Sequence, residues 1–157
     1  MSAISIRLAT LDDAPVVLSF IRALAEYEHL EHTVCMREET LRSWMASGGI
    51  HALIACDDGQ EAGFALYYYT YATFRAQRGL FLEDLFVKPE FRKRGLGLAL
   101  FKALAEEAHR QSCYRMDWLV LNWNTKSIAF YQQIGAHPVD EWSLYRMDES
   151  ALHALRQ

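Results

Sequence analysis

The sequence predicts a single mixed α/β (α+β) domain, and three observations carry that prediction. Apolar residues recur at helical spacing near the N-terminus and again after Gly95, while the stretch from Ile50 to Val87 changes to the pattern of strands. A chain of 157 residues can bury one core without metals or disulfides. No linker, repeat or low-complexity segment interrupts it, so the domain is read as residues 1–157.

Taken in order, Ser5-Ile6-Arg7-Leu8 reads as a short first strand. Thr10 then caps a helix, with Asp13 three residues on in a capping-box pattern. Val17, Phe20, Ile21, Leu24 and Tyr27 follow at helical spacing and carry that helix to about Glu28. A second helix spans Glu38 to Ala46 and is stopped by Gly48-Gly49. Ile50 to Cys56 reads as a strand, Asp57-Asp58-Gly59 as a hairpin turn, and Gly63 to Tyr71 as a long strand rich in aromatics. Gly79 to Val87 is a further strand, closed by Lys88-Pro89. A helix follows from Gly95 to about Arg110, with Leu96, Leu100, Leu104 and Ala108 in one stripe. Tyr114 to Leu121 is a strand, a short helix starts at Asn124 or Thr125 and ends at Gly135, and Trp142 to Met147 is a last strand.

Composition narrows the function classes. The chain is 52% apolar and 23% charged, which is the balance of an ordinary globular protein. Net charge is -4 and no basic run is longer than Arg92–Arg94, which argues against nucleic acid as a partner, since phosphate neutralisation needs a broad basic face. The segment Met1–Arg7 has no apolar leader core, and no stretch approaches the roughly 20 apolar residues of a membrane span. No membrane partner and a cytoplasmic location are the resulting expectations. Three cysteines without CxxC spacing are read as reduced and structural. Glu28-His29-Leu30-Glu31-His32 offers His-x-x-His rather than the His-Glu-x-x-His of zinc hydrolases, so no metal is expected.

The chemistry-bearing motif is Arg92-Lys93-Arg94-Gly95-Leu96-Gly97-Leu98, placed where a strand hands over to a helix. The first turn of a helix has N–H groups without intrahelical partners, and the helix dipole adds partial positive charge there. Glycines let a bulky anion approach those groups, and the flanking cations suit a diphosphate. Neither rival phosphate motif fits. No Gly-x-x-x-x-Gly-Lys-Ser/Thr string exists, and Leu100 occupies the position where a dinucleotide fingerprint needs its third small residue.

Arg92-x-x-Gly95-x-Gly97 resembles the Gln/Arg-x-x-Gly-x-Gly/Ala signature of the GNAT acetyltransferase superfamily. The likeness extends to Ile6-Arg7-x-Ala9-Thr10, Leu24-Ala25-x-Tyr27-Glu28, Ala65-Leu66-Tyr67-Tyr68, Leu82-Glu83-Asp84-Leu85-Phe86-Val87, Trp123-Asn124-x-x-Ser127-Ile128-x-Phe130-Tyr131 and Gly135-Ala136, in order along almost the whole chain. Those segments look like the spermidine/spermine (diamine) N-acetyltransferase branch. The resemblance implies the GNAT fold: a bent, mostly antiparallel mixed sheet, splayed at strands four and five and flanked by helices. It implies acetyl-CoA as cosubstrate, with Leu85, Phe86 and Val87 against the pantetheine arm, Arg92 through Leu98 around the phosphates, and Asn124 and Ser127 on the cofactor's other side. It also implies a homodimer.

The reaction so implied is attack of a neutral amine on a thioester. An alkylammonium of pKa about 10 must lose a proton and the leaving thiolate must gain one. By resemblance Tyr131 is the acid, and a phenol suits that task because its pKa lies within about two units of a thiol's. Glu83 is the candidate base, acting through water and holding the cationic substrate. On a regularly alternating strand Glu83 and Asp84 point to opposite faces, and which of the pair relays the proton is left open. Tyr27, Glu28, Glu83 and Asp117-Trp118-Leu119 would line the amine pocket by resemblance, carboxylates for charge and aromatics for methylenes and ammonium. Asn122 stands where the diamine enzyme has an acidic residue, and His137–Trp142 is shorter than its counterpart. The acceptor is thus a small cationic amine, diamine or polyamine or lysine-like. A peptide N-acetyltransferase and a non-catalytic CoA-binding module are the alternatives.

Overall fold

The computed structural model describes residues 3–156; Met1 and Ser2, part of the segment read above for its missing leader core, and Gln157 lie outside the described residues. The chain divides into two compact units, Met1–Leu119 and Val120–Gln157. The first holds β1 (Ile4–Leu8), α1 (Ala14–Tyr27), α2 (Glu38–Ala46), β2 (His51–Asp57), β3 (Gln60–Ala72), β4 (Gln77–Val87), α3 (Leu96–Arg110) and β5 (Cys113–Trp118). Its strands form one sheet in the order β1-β2-β3-β4-β5. The first four are antiparallel neighbours, and β5 pairs parallel with β4. A parallel pair needs a crossover, which α3 supplies.

The sheet is covered on both faces, so each face draws on alternate residues of the strands. On one face Val17, Leu18 and Phe20 of α1 and Leu41 of α2 pack with Ile54, Phe64, Leu66 and Phe86. Phe20 stacks on Phe64 with ring centroids 5.2 Å apart. On the other face Leu53, Ala65, Tyr67, Leu80 and Leu82 are buried, as are Leu96, Leu100, Phe101 and Leu104 of α3. The β2–β3 hairpin turns on Asp58 (φ 49°) and Gly59 (φ 79°), the left-handed pair that a two-residue hairpin requires.

One irregularity shapes everything near β4. Leu66 pairs with Asp84 but Tyr67 pairs with Leu82, so Glu83 is an extra residue opposite a single partner. Such a bulge resets the alternation of side chains. Leu82 lies beside Tyr67 on the α3 face, whereas Asp84 lies across from Leu66 on the α1 face, and Glu83 accepts a hydrogen bond from the Tyr68 hydroxyl at 3.3 Å. The opposite-faces expectation for Glu83 and Asp84 is therefore corrected: both carboxylates sit on the α1 face.

Two further corrections concern the ends of elements. Thr10 caps a short 3-10 turn, Leu11–Asp13, and α1 proper begins only at Ala14. The Thr10 N–H donates to Asp13 Oδ2 at 2.7 Å, and Arg7 donates to both Asp13 oxygens at 2.7 and 2.8 Å. In the second unit α4 (Thr125–Gln133) is as expected, but Trp142–Met147 lies in no strand. A strand exists only by virtue of a ladder partner, and this segment has none among the described residues; Trp142, Leu144 and Tyr145 are strongly exposed. The chain ends instead in α5 (Glu149–Leu155), whose cap Asp148 accepts from the Ala151 N–H at 2.8 Å. No helix of the described residues is long and apolar enough to cross a membrane.

Asp13 joins β1 to the start of α1, and the Arg7 guanidinium holds its carboxyl well below the usual carboxylate range. A carboxyl depressed in the folded state contributes stability above its unfolded pKa and loses it as pH falls through the folded one. Asp13→Asn should lower Tm by about 2–4 °C at pH 7, the scale of one lost cap. In thermal melts run from pH 7 downwards, the gap to wild type should begin closing below about pH 5.

Candidate active site

β4 ends at Val87, a 3-10 turn covers Pro89–Phe91, and α3 begins at Leu96. Between them Lys93 (φ 61°) and Gly95 (φ 93°) both take left-handed backbone conformations. The helix ladder opens with the Ala99 N–H donating to the Gly95 carbonyl at 2.9 Å, which leaves the N–H groups of the turn before it outside the ladder. Residues 92–95 are exposed and Gly97 is the second residue of the helix. The expected strand-to-helix turn is thus formed, with N–H groups outside the ladder at its start.

The two arginines do more than decorate it. Arg92 Nε donates to the Val87 carbonyl at 2.9 Å, and its guanidinium lies 4.8 Å from the Tyr27 ring centroid and 5.5 Å from that of Phe86. Arg94 Nη1 donates to Asp57 Oδ2 at 3.0 Å and lies over Phe91 at 5.3 Å. Both cations are turned back onto the protein, one to each side of Lys93.

Beside the cradle, the β4–β5 ladder runs only as far as Leu82 and Trp118. From Glu83 to Val87 β3 is the only ladder partner among the described residues, so the other edge faces no strand, and there the Val87 carbonyl is met by Arg92. This is the opening between strands four and five, and Leu85, Phe86 and Val87 lie along it.

Next to that edge is a carboxylate cluster. Asp84 is half-buried and its carboxyl is pushed up to about 7, first by burial and then by the charges of Glu83 and Glu28. Glu28, just beyond α1, is also raised by burial. Glu83 is exposed. The Tyr68 hydroxyl that donates to it is held above its ordinary value by burial and by the Glu83 charge. Tyr27, Glu28, Glu83, Asp84 and Arg92 therefore share one side of the sheet. The strand β5 contributes Asp117, which pairs with Arg115 at 2.7 Å, while Trp118 packs edge-on against Phe101 of α3 at 5.2 Å, on the other face. Leu119, just past the strand, is exposed.

In the second unit Asn124 is buried and accepts from the Ser127 N–H at 3.3 Å, so this pair forms the cap of α4. Tyr131 is half-buried beside Phe130, with centroids 5.8 Å apart.

A cleft of about 780 Å³ opens on the α3 face of the sheet, lined by Tyr67, Tyr69, Arg78, Glu107 and Arg110 among others. Its polar groups are committed to one another: the Tyr69 hydroxyl donates to Glu107 at 2.7 Å, Arg110 donates to the same carboxylate, and Arg78 lies over the Tyr69 ring. It faces away from the carboxylate cluster. Among the described residues no group of three or more His, Cys, Asp or Glu side chains is poised to hold a metal.

Sequence reasoning missed Tyr68 and Asp57. The Tyr68–Glu83 contact follows from a bulge with no sequence signature, and Asp57 reads as turn chemistry until its distant partner is known.

Comparison with known proteins agrees with this architecture. The model of the acetyltransferase (GNAT) family matches residues 18–136. Thialysine N-epsilon-acetyltransferase of Caenorhabditis elegans is 36% identical over 147 residues, covering 92% of this chain and 91% of that protein. The Bos taurus protein of the same name is 34% identical, covering 99% and 98%. Among solved structures, an aminoglycoside N-acetyltransferase in complex with CoA superposes with a TM-score of 0.74 at 21% identity, over 94% of this chain and 96% of that one, a likeness of fold. Cradle, opened strand pair and family match converge: the chain belongs to the GNAT acetyltransferase family.

Proposed function

We propose that this protein transfers the acetyl group of acetyl-CoA to a primary amine of a small cationic acceptor, lysine-like or diamine. The observation that carries the acceptor half is the bulge that sets Glu83 and Asp84 on one face with Glu28, a concentration of negative charge beside the β4 edge. The relatives named for thialysine favour a lysine-like chain, and the resemblance to the diamine branch keeps polyamines in the set.

The residues present fit acetyl-CoA. Orphan N–H groups and the cations Arg92, Lys93 and Arg94 suit its diphosphate, and the free edge at Leu85, Phe86 and Val87 suits the amide-bearing arm. Gly95, Leu96, Gly97 and Leu98 supply close backbone approach, and Asn124 and Ser127 are assigned by resemblance to the opposite side. The cosubstrate supplies an activated thioester; the rest is the work of this chain. Glu83, exposed and oriented by Tyr68, receives the ammonium group from solvent. Asp84, with a carboxyl near neutrality, takes the proton that makes the amine nucleophilic. Tyr131 returns a proton to the departing sulfur. Tyr27, Glu28 and Asp117 complete the acceptor's surroundings, and Trp118 and Leu119 follow only by resemblance. The family match crosses from one compact unit into the other, which supports residues 1–157 acting as one acetyltransferase domain. A homodimer in the cytoplasm, without nucleic acid, membrane or metal, completes the reading.

An acetyl-transfer screen over thialysine, lysine, ornithine, putrescine, spermidine, spermine and a peptide panel tests this. Turnover of free amines is expected; turnover of peptides alone would overturn the small-acceptor reading. Tyr131→Phe should lower kcat by roughly a hundredfold while leaving acetyl-CoA affinity unchanged, as checked by steady-state rates and calorimetry.

Asp84 gives a paired test. A base must be deprotonated to act, so wild-type kcat/KM should rise through about pH 7, and Asp84→Asn should lose that inflection together with most activity. Stability should move the other way. A carboxyl raised in the folded state keeps its proton where the unfolded chain has lost it, so folding weakens as pH climbs from about 4 to 7. Asp84→Asn should therefore melt above wild type at pH 8, with the gap closing at pH 4. A variant that loses activity and stability together would remove Asp84 from this role.

A further inference from the structure

Asp57 closes β2, and its side chain is 1% exposed. A buried carboxylate is costly unless paired. The hairpin does not require it. Asp58 supplies the left-handed turn residue, and its Oδ1 accepts from the Ala3 N–H at 2.8 Å, which ties the turn to β1. The partner that Asp57 does have is Arg94, 37 residues away in the cradle. Only one of its oxygens is used: Oδ1 has no hydrogen-bond partner among the described residues.

Arg94 is the residue between the two left-handed positions, Lys93 and Gly95. A lysine in that conformation is strained by roughly 1 kcal/mol, so something must hold it there. Arg94 is half exposed, sits over Phe91, and spends one of its five N–H donors on Asp57. Its remaining donors make no hydrogen bond among the described residues, and the side chain is half exposed. The buried carboxylate thus holds one nitrogen of the guanidinium and leaves its other donors uncommitted.

We propose that Asp57 is a positioning residue of the donor site: by anchoring Arg94 it holds the 92–97 loop in the shape that meets the diphosphate of the cosubstrate. This rests on the reading of the loop as the acetyl-CoA cradle. Preorganised donors raise affinity by removing the ordering cost at binding, so the effect belongs in recognition of the donor rather than in the chemical step.

The test is Asp57→Asn, assayed with acetyl-CoA and with acetyl-pantetheine, which lacks the diphosphate, alongside calorimetry with CoA. The expected result is a KM for acetyl-CoA and a Kd for CoA raised roughly tenfold, about 1.4 kcal/mol, with kcat, amine KM and acetyl-pantetheine turnover within about twofold of wild type. Arg94→Gln should raise the acetyl-CoA KM at least as far, since it removes the cation as well as its anchor, and the double variant should be no worse than Arg94→Gln alone. Because Arg94→Gln leaves a buried charge unpaired, it carries the greater folding risk; Asp57→Asn removes that charge and keeps the test open. If Asp57→Asn leaves the acetyl-CoA KM within twofold, or slows both donors equally, the positioning role is wrong. If wild type itself uses acetyl-pantetheine as well as acetyl-CoA, the cradle does not read the diphosphate, and the underlying donor-site reading fails instead.

Discussion

Beyond Tyr67, the ladder between β3 and β4 cannot continue in simple alternation, because β4 carries one residue more than its partner at Glu83. Without that insertion, burying Leu82 on the α3 face would place Glu83 on the α1 face and Asp84 back among apolar side chains. With it, Leu82 keeps its place under Tyr67, Phe86 keeps its place in the α1 core, and two adjacent carboxylates emerge together between them. The raised carboxyl of Asp84 follows from that crowding and from partial burial. The same stretch of strand is where β5 ceases to pair, so a free backbone edge and an acidic face meet over five residues. Glu83 and Asp84 share a face because of one extra residue in a ladder.

The cradle obeys a different constraint. Its cations are held by the protein before any ligand arrives: Arg92 by a carbonyl at the end of β4 and two aromatic rings, Arg94 by a buried carboxylate. A loop of exposed arginines would otherwise pay rotamer entropy on binding an anion, and anchoring both sides of Lys93 removes much of that cost. The glycine at 95 allows the left-handed turn that starts α3, and the helix then presents its unpaired N–H groups at a fixed angle.

Much of this was legible in the chain itself. Local signals set the helices and most strands within a few residues: Asp58-Gly59 for the hairpin, Gly48 after α2, the leucine stripe for α3, and Asn124 for the start of α4. The strand-to-helix motif was legible because it is contiguous, from Arg92 to Gly97. Where local reading failed, the reason was lack of a partner or an unused local signal. Trp142–Met147 has the composition of a strand, but composition does not supply a ladder. The helix Glu149–Leu155 was not among the expected elements, although Asp148, a cap followed by good helix formers, is a local signal for it.

By itself, then, the sequence determined the fold class and an anion-binding turn, which rest on period, turn residues and a run of neighbouring residues whose chemistry is local, while its ordered motifs carried the resemblance that implied the family and the donor. Only the tertiary structure decided which face Glu83 and Asp84 share, that Trp118 turns to α3 while Asp117 does not, and that Arg94 is anchored by Asp57. Each of these depends on strand register or on a contact between residues far apart in the chain. Register is set by the packing of both sheet faces at once, and no window of sequence contains that information.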